Sequence, residues 1–129
     1  MALLVALAAL VAAGAAEASQ EKPPRLVIRT VISTNQAVYT EGAVAFVAVD
    51  DLHGHTLAAR RIDKRLALAL HSGRFRLRSW VRPCDGNCGY LDPPTDRCSH
   101  PFGLRRGDRL LATIRMQAGD PCRISLHRT

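Results

Sequence analysis

Apolar and polar residues alternate with a period of two along most of the chain. In "RLVIRTVIST" Leu26, Ile28, Thr30 and Ile32 fall on one side and Val27, Arg29 and Val31 on the other. That alternation, with its β-branched content, predicts a strand. "AVAFVAV" (43–49) is apolar on both sides, as expected of a strand buried in a sandwich. "DDLHGH" reads as a turn and "TLAARRI" as a further strand. "LALALHSGRFRLRSWV" predicts a hairpin: Leu66, Leu68 and Leu70 alternate, His71-Ser72-Gly73 turns, then Phe75, Leu77 and Ser79 alternate with Arg74, Arg76 and Arg78. The arginine side must face water, because unpaired buried guanidiniums are costly. "PFGL", the turn "RRGD" and "RLLATIRM" predict a second hairpin, and "QAGDP" leads to a last strand, "CRISL". No stretch carries a helical apolar stripe over three turns. About seven short, regularly spaced strands predict an all-β fold, a single Greek-key β-sandwich.

The N-terminus breaks this pattern. "MALLVALAALVAAGAAEASQ" is apolar from Ala2 to Ala13 and then offers Ala16-Glu17-Ala18, the A-x-A pattern of a signal-peptidase site. The run is shorter than the ~20 residues of a stable bilayer span, so no membrane span is expected in the mature chain. No Lys or Arg precedes it, which is atypical of an export signal, and no cysteine follows it to carry a lipid. The expected organisation is a signal peptide at 1–18, a linker at 19–25 containing "EKPPR", and a domain at 26–129. The protein is therefore expected to be secreted, extracellular or at the cell surface.

Charge sharpens that picture modestly. The formal net charge is +7, and every cation except Lys22 and Lys64 is arginine. An exported basic domain is drawn to anionic envelope polymers or headgroups by screened, low-specificity attraction. Aromatic residues make up only 5% of the chain, too few for the stacking platform of a single-strand nucleic-acid binder, so no nucleic-acid partner is expected.

The candidate chemistry concentrates in "RPCDGNCGYLDPPTDRC" (82–98). The cysteine spacing, C-x3-C-x9-C-x23-C, is neither the C-x-x-C of a redox pair nor the paired knuckles of a structural zinc site. Cys84, Cys88, Cys98 and Cys122 are expected to form two disulfides, as an even number of cysteines does in an exported chain. Three pairings are open. Cys88–Cys98 with Cys84–Cys122 is favoured and Cys84–Cys98 with Cys88–Cys122 follows. Cys84–Cys88 is disfavoured because so small a ring constrains the unfolded chain little.

Asp85, Asp92, Asp96 and the Asn87 carbonyl are hard oxygen ligands on a Gly-containing loop, but they do not match a calcium-loop spacing, and Asp and Asn also make turns. No metal and no cofactor is expected. His53 and His55 beside Asp50 and Asp51 read as a solvated turn, and Arg106-Gly107-Asp108 as hairpin chemistry more than an adhesion tripeptide. Trp80, the single tryptophan, is expected to close one end of the core; its neighbours Arg78 and Arg82 also suit a stacking contact with a partner.

"GAVAFVAVDDLHGHTLAARR", "LHSGRFRLRSWVRP" and "FGLRRGDRLLATIRM" together resemble the carboxypeptidase-regulatory-like or transthyretin-like β-sandwiches. The matching features are the D-x-x-G turn Asp51–Gly54, the "GRFRL" strand from Gly73 to Leu77, and the closing "GDRLLATI" from Gly107 to Ile114. The cysteine segment is similar to one that recurs in small exported actinobacterial proteins. The resemblance implies a sandwich used as an accessory or binding module, and fold alone does not give function.

No G-x-S-x-G, H-E-x-x-H or phosphate-loop motif is present, so no catalytic residue is assigned and an enzyme is not expected. The expectation is an exported, non-catalytic module binding an unidentified envelope or extracellular partner. Its loop 83–101, with Asp85, Asn87, Tyr90, Asp92, Asp96, Trp80 and Arg82, is the expected contact. The alternatives are a small secreted protease inhibitor with a disulfide-stiffened reactive loop and a calcium-dependent adhesin.

Overall fold

The computed structural model describes residues 22–33, 42–84, 86, 88–117 and 122–129. The expected signal peptide, part of the linker, the "TNQAVYTE" turn, Asp85, Asn87 and the tip of the last turn lie outside the described residues. Within them the strands are β1 (Arg25–Ser33), β2 (Ala43–Asp50), β3 (Thr56–Ile62), β4 (Arg65–Ala69), β5 (Gly73–Pro83), β6 (Thr95–Leu104), β7 (Arg109–Gln117) and β8 (Arg123–Arg128). They form two four-stranded sheets, β4-β1-β7-β8 and β3-β2-β5-β6, a β-sandwich of eight strands where about seven were expected.

The alternation along each strand decides which side chains meet between the sheets. Leu26, Ile28, Leu110, Ala112, Ile114 and Met116 from one sheet pack against Ala45, Val47, Val49, Phe75, Leu77 and Val81 from the other. β2 is buried on both sides as its sequence predicts: Val44 and Ala48 are covered on the outward face while Ala45, Val47 and Val49 enter the core. Among the described residues Ser79, Thr30 and Asp50 are the polar side chains that go under, each with its hydrogen bonds made. Ser79 donates to the Phe46 carbonyl at 3.0 Å, and Thr30 donates to the Asp63 carbonyl at 3.0 Å.

Two expected hairpins are corrected. β4 pairs with β1, whereas β5 pairs with β2 and β6, so "LALALHSGRFRLRSWV" crosses from one sheet to the other. β6 and β7 likewise lie in different sheets on either side of "RRGD". Period-two patterning tells which face of a strand is buried but not which strand it pairs with, and a tight turn serves a corner as well as a hairpin. β2–β3 and β7–β8 are antiparallel neighbours in sequence order. β1 runs parallel to β7. The chain changes sheet between β1 and β2, β3 and β4, β4 and β5, and β6 and β7, the crossed connectivity of a Greek-key sandwich.

The cysteines form Cys84–Cys88 and Cys98–Cys122, which corrects the favoured pairing. Topology explains the choice. β6 and β8 are the edge strands on the same side of the two sheets, so Cys98 and Cys122 face each other across the gap. Cys84, just past the end of β5, is left with its near neighbour Cys88. Gly42 adopts φ +130°, and a Cβ there would stand 3.1 and 3.2 Å from the Cys84 and Cys88 sulfurs. The small disulfide thus seats directly on glycine backbone, and the Cys84 N–H donates to the Gly42 carbonyl at 3.1 Å.

Candidate functional site

The expected loop 83–101 is shorter than its sequence suggests. Regular pairing resumes at Thr95, and Cys98, His100 and Pro101 belong to β6. Pro101 obscures this in the sequence, yet an edge strand tolerates a missing N–H on its open side. The end of what remains of the loop, at Leu91 and Asp92, is held close to the sheet. Arg82 donates from Nε to the Asp92 carbonyl at 2.8 Å and from Nη2 to the Leu91 carbonyl at 2.7 Å. The Asp92 N–H donates to the Pro83 carbonyl at 2.8 Å. Arg82 is therefore a clamp on the loop backbone. Tyr90 stands out from the loop with 82% of its surface exposed.

Return from this loop into β6 carries a β-bulge. Ser79 pairs with Cys98 and Val81 with Thr95, so Asp96 and Arg97 together oppose the single residue Trp80. Asp96 takes up the extra length with φ 48°, a left-handed conformation in which Asp is among the better-tolerated residues. Bulges re-aim side chains at sheet edges and beside binding sites. Here the bulge opens a depression of about 540 Å³ over Trp80, lined also by Arg78, Pro94, Arg97 and Ser99.

Trp80 itself is on the outward face, which corrects the expectation that it closes the core. Phe75, Leu77, Ser79 and Val81 point inward, so Trp80 shares the outer side with the arginines. Phe46, its partner across β2, stacks against it with centroids 5.7 Å apart and planes 8° from parallel. The Arg78 guanidinium lies 5.8 Å from the ring centroid, within cation–π range.

Arg78 is fixed from its other side by Asp50. It donates from both Nε and Nη2 to the Asp50 carboxylate, and Thr56 Oγ1 donates to Asp50 Oδ1 at 2.8 Å. These hydrogen bonds, with the Arg78 charge, hold the Asp50 carboxyl below its usual pKa although burial opposes them. Arg78 is correspondingly held charged. A chain of contacts thus runs from Asp50 through Arg78 and Trp80 to Phe46. Arg97 is exposed at the rim.

The other candidate groups serve turns. Asp51 Oδ1 accepts the N–H groups of His53 (2.8 Å) and His55 (2.9 Å), and Asp51 Oδ2 sits 3.1 Å from His55 Nδ1. The backbone donor of His55 is the main cause of the lowered Asp51 pKa. Asp108 accepts the Arg105 N–H at 2.8 Å and is paired with Arg128, so the carboxylate of the Arg-Gly-Asp tripeptide is engaged within its own sandwich. Thr95 Oγ1 donates to Asp96 Oδ2 at 3.1 Å. Among the described residues no three His, Cys, Asp or Glu side chains gather in a metal-binding arrangement.

The structure therefore brings Trp80, Arg82, the β6 bulge residue Asp96 and the loop carrying Tyr90 and Asp92 to one end of the β3-β2-β5-β6 sheet. It adds Phe46, Pro94, Arg97 and Ser99, which the sequence did not single out, and keeps Arg78 beside Trp80 as the sequence suggested. A usable signal existed for Phe46, which sits in a strand that is apolar on both faces, and for the outward placement of Trp80, which has the same strand parity as Arg74, Arg76 and Arg78. No protein-family model and no curated protein matches the chain.

Proposed function

We propose that the protein is a non-catalytic binding or accessory module acting outside the cytoplasm at the cell envelope, on a transthyretin-like sandwich. The observation that carries the binding reading is the bulge at Asp96-Arg97 beside Trp80. It opens a depression with an aromatic floor and cationic margins at the end of the sheet where the cross-linked loop lies. An aromatic ring backed by a second ring and flanked by arginine suits a ligand with one apolar face and polar or anionic substituents, as envelope glycans have.

Two further observations support the setting. All four cysteines are paired, which fits an oxidising compartment. No helix among the described residues is long and apolar enough to cross a membrane. The strand order supports the transthyretin-like assignment over an immunoglobulin-like one: β1 and β2 lie in different sheets, whereas the first two strands of an immunoglobulin constant domain share one. The short loop held down by Arg82 and a small disulfide ring presents little extended backbone, which favours a binding rim over a protease-inhibitor loop.

Trp80 is the only tryptophan, so its emission reports on this depression directly. Purified cell-wall sacculi stripped of anionic polymers are expected to retain the protein at low salt. Soluble fragments of the same material are expected to change its emission, and Arg97→Ala and Tyr90→Ala to weaken both effects several-fold. Failure to cosediment at low salt refutes the proposal.

A further inference from the structure

The outward face of the other sheet, β4-β1-β7-β8, has a different character. Arg25, Arg29, Arg65, Arg109, Arg115 and Arg123 all project from it and all are exposed. None of β1, β4, β7 or β8 contains an Asp or Glu. Among the described residues none of these six guanidiniums forms an ion pair, in contrast to Arg78 with Asp50 and Arg128 with Asp108.

Register makes the arrangement costly. Arg25 stands directly opposite Arg109, Arg29 opposite Arg65, and Arg115 opposite Arg123. Like charges placed directly across a ladder destabilise a sheet, and alternating Arg with Thr or Ser would have served solubility without that cost. Three such pairs on a face whose strands carry no Asp or Glu therefore point to a partner that supplies negative charge.

The geometry narrows the partner. Paired arginines on adjacent strands lie about 5 Å apart at the backbone, and the outermost tiers are separated by roughly 20 Å along the strands. Two neighbouring guanidiniums are suited to fork one phosphate between them. Val27 is only 4% exposed on this face and lines a shallow depression together with Arg65, Arg109, Leu111 and Thr129. Among the described residues no Phe, Tyr or Trp lies on this face, His127 being its single ring, and Val31 is its one exposed larger apolar side chain, so it offers no stacking platform for bases and nothing built to enter a bilayer.

We propose that this face docks a linear, base-free phosphodiester polymer. The choice of a base-free polymer rests on the extracytoplasmic reading above; the docking surface itself does not involve Trp80.

Binding of poly(glycerol phosphate) to the full chain, followed by calorimetry at several salt concentrations, tests this. If all six arginines engage, affinity is expected to fall about 300-fold between roughly 50 and 200 mM salt, from a slope of about 0.7 per phosphate contact. The quadruple variant Arg29→Gln, Arg65→Gln, Arg115→Gln, Arg123→Gln is expected to bind weakly, with only about a sevenfold salt effect over that range. It should melt no lower than the wild type, because two repulsive pairs are gone. Trp80→Ala should bind the polymer as the wild type does, which separates this surface from the depression on the opposite sheet. Unchanged binding by the quadruple variant overturns the proposal. So does tighter binding of a DNA oligonucleotide or of phosphatidylglycerol vesicles than of the polymer. If the quadruple variant does not fold, a wild-type salt dependence no steeper than sevenfold overturns it equally.

Discussion

Breaking the two disulfides separately should give unequal losses, in an order set by chain topology. Cys98 and Cys122 are 24 residues apart and join edge strands of opposite sheets, whereas Cys84 and Cys88 are 4 apart within one loop. In the chain-entropy account the longer cross-link stabilises by about 3.5 kcal/mol and the shorter by about 2 kcal/mol. For a domain of this size that corresponds to roughly 14 °C and 8 °C in melting temperature. The paired substitutions Cys98→Ala with Cys122→Ala, and Cys84→Ala with Cys88→Ala, compared by circular dichroism melts and urea titration, measure both. If the effect acts through the unfolded chain, the first variant should also show a larger m-value, because its denatured state is free to expand. Cys84 is buried at 1% exposure, so truncating it adds a packing loss, which narrows the gap without being expected to reverse it. Equal losses, or a larger loss from Cys84 and Cys88, would show that the inter-sheet link is not what holds that side of the sandwich shut.

Two other outcomes follow from the polar contacts. Asp50→Ala should cost about 2 kcal/mol by urea titration, since it removes charge-assisted bonds from Arg78 and Thr56. Arg78 keeps 43% exposure and can be rehydrated, so the larger penalty of a stranded buried charge is not expected. A loss under about 0.5 kcal/mol would refute that role. The carboxyls of Asp50, Asp51 and Asp108 are all held below their unfolded values. Their contribution is therefore complete above the unfolded carboxylate pKa, near 3.9, and is lost as pH falls through the folded values. The urea midpoint should drop below about pH 4, and a midpoint that rises on acidification would contradict the assignment.

Much of the sandwich is legible in single strands. Leu26 and Ile28, the doubly apolar β2 and the alternation of Phe75, Leu77 and Ser79 all bury the faces that their spacing indicates. What is not legible is pairing. Leu66 and Phe75 sit in neighbouring strands of sequence but in different sheets, because His71-Ser72-Gly73 is as good a corner as a hairpin turn. The disulfide connectivity follows from the same hidden fact: only the placement of β6 and β8 on matching edges makes Cys122 the neighbour of Cys98. The depression over Trp80 is hidden for another reason. It arises from a register slip at Asp96-Arg97, and a bulge leaves no pattern beyond an Asp able to adopt a positive φ. The exposed arginines of β1, β4, β7 and β8 could be placed on outward faces from parity alone; that they face one another could not.

The inter-sheet disulfide also bears on how the chain meets a protease. The turn Arg105-Arg106-Gly107-Asp108 exposes two consecutive arginines, an inviting substrate for a trypsin-like enzyme. Cys98 lies before that turn and Cys122 after it. A single cut there would leave the two pieces covalently tied and the strands on either side still hydrogen-bonded in their separate sheets. Nicked protein should run as two bands only after reduction, and it would keep its shape with its backbone severed.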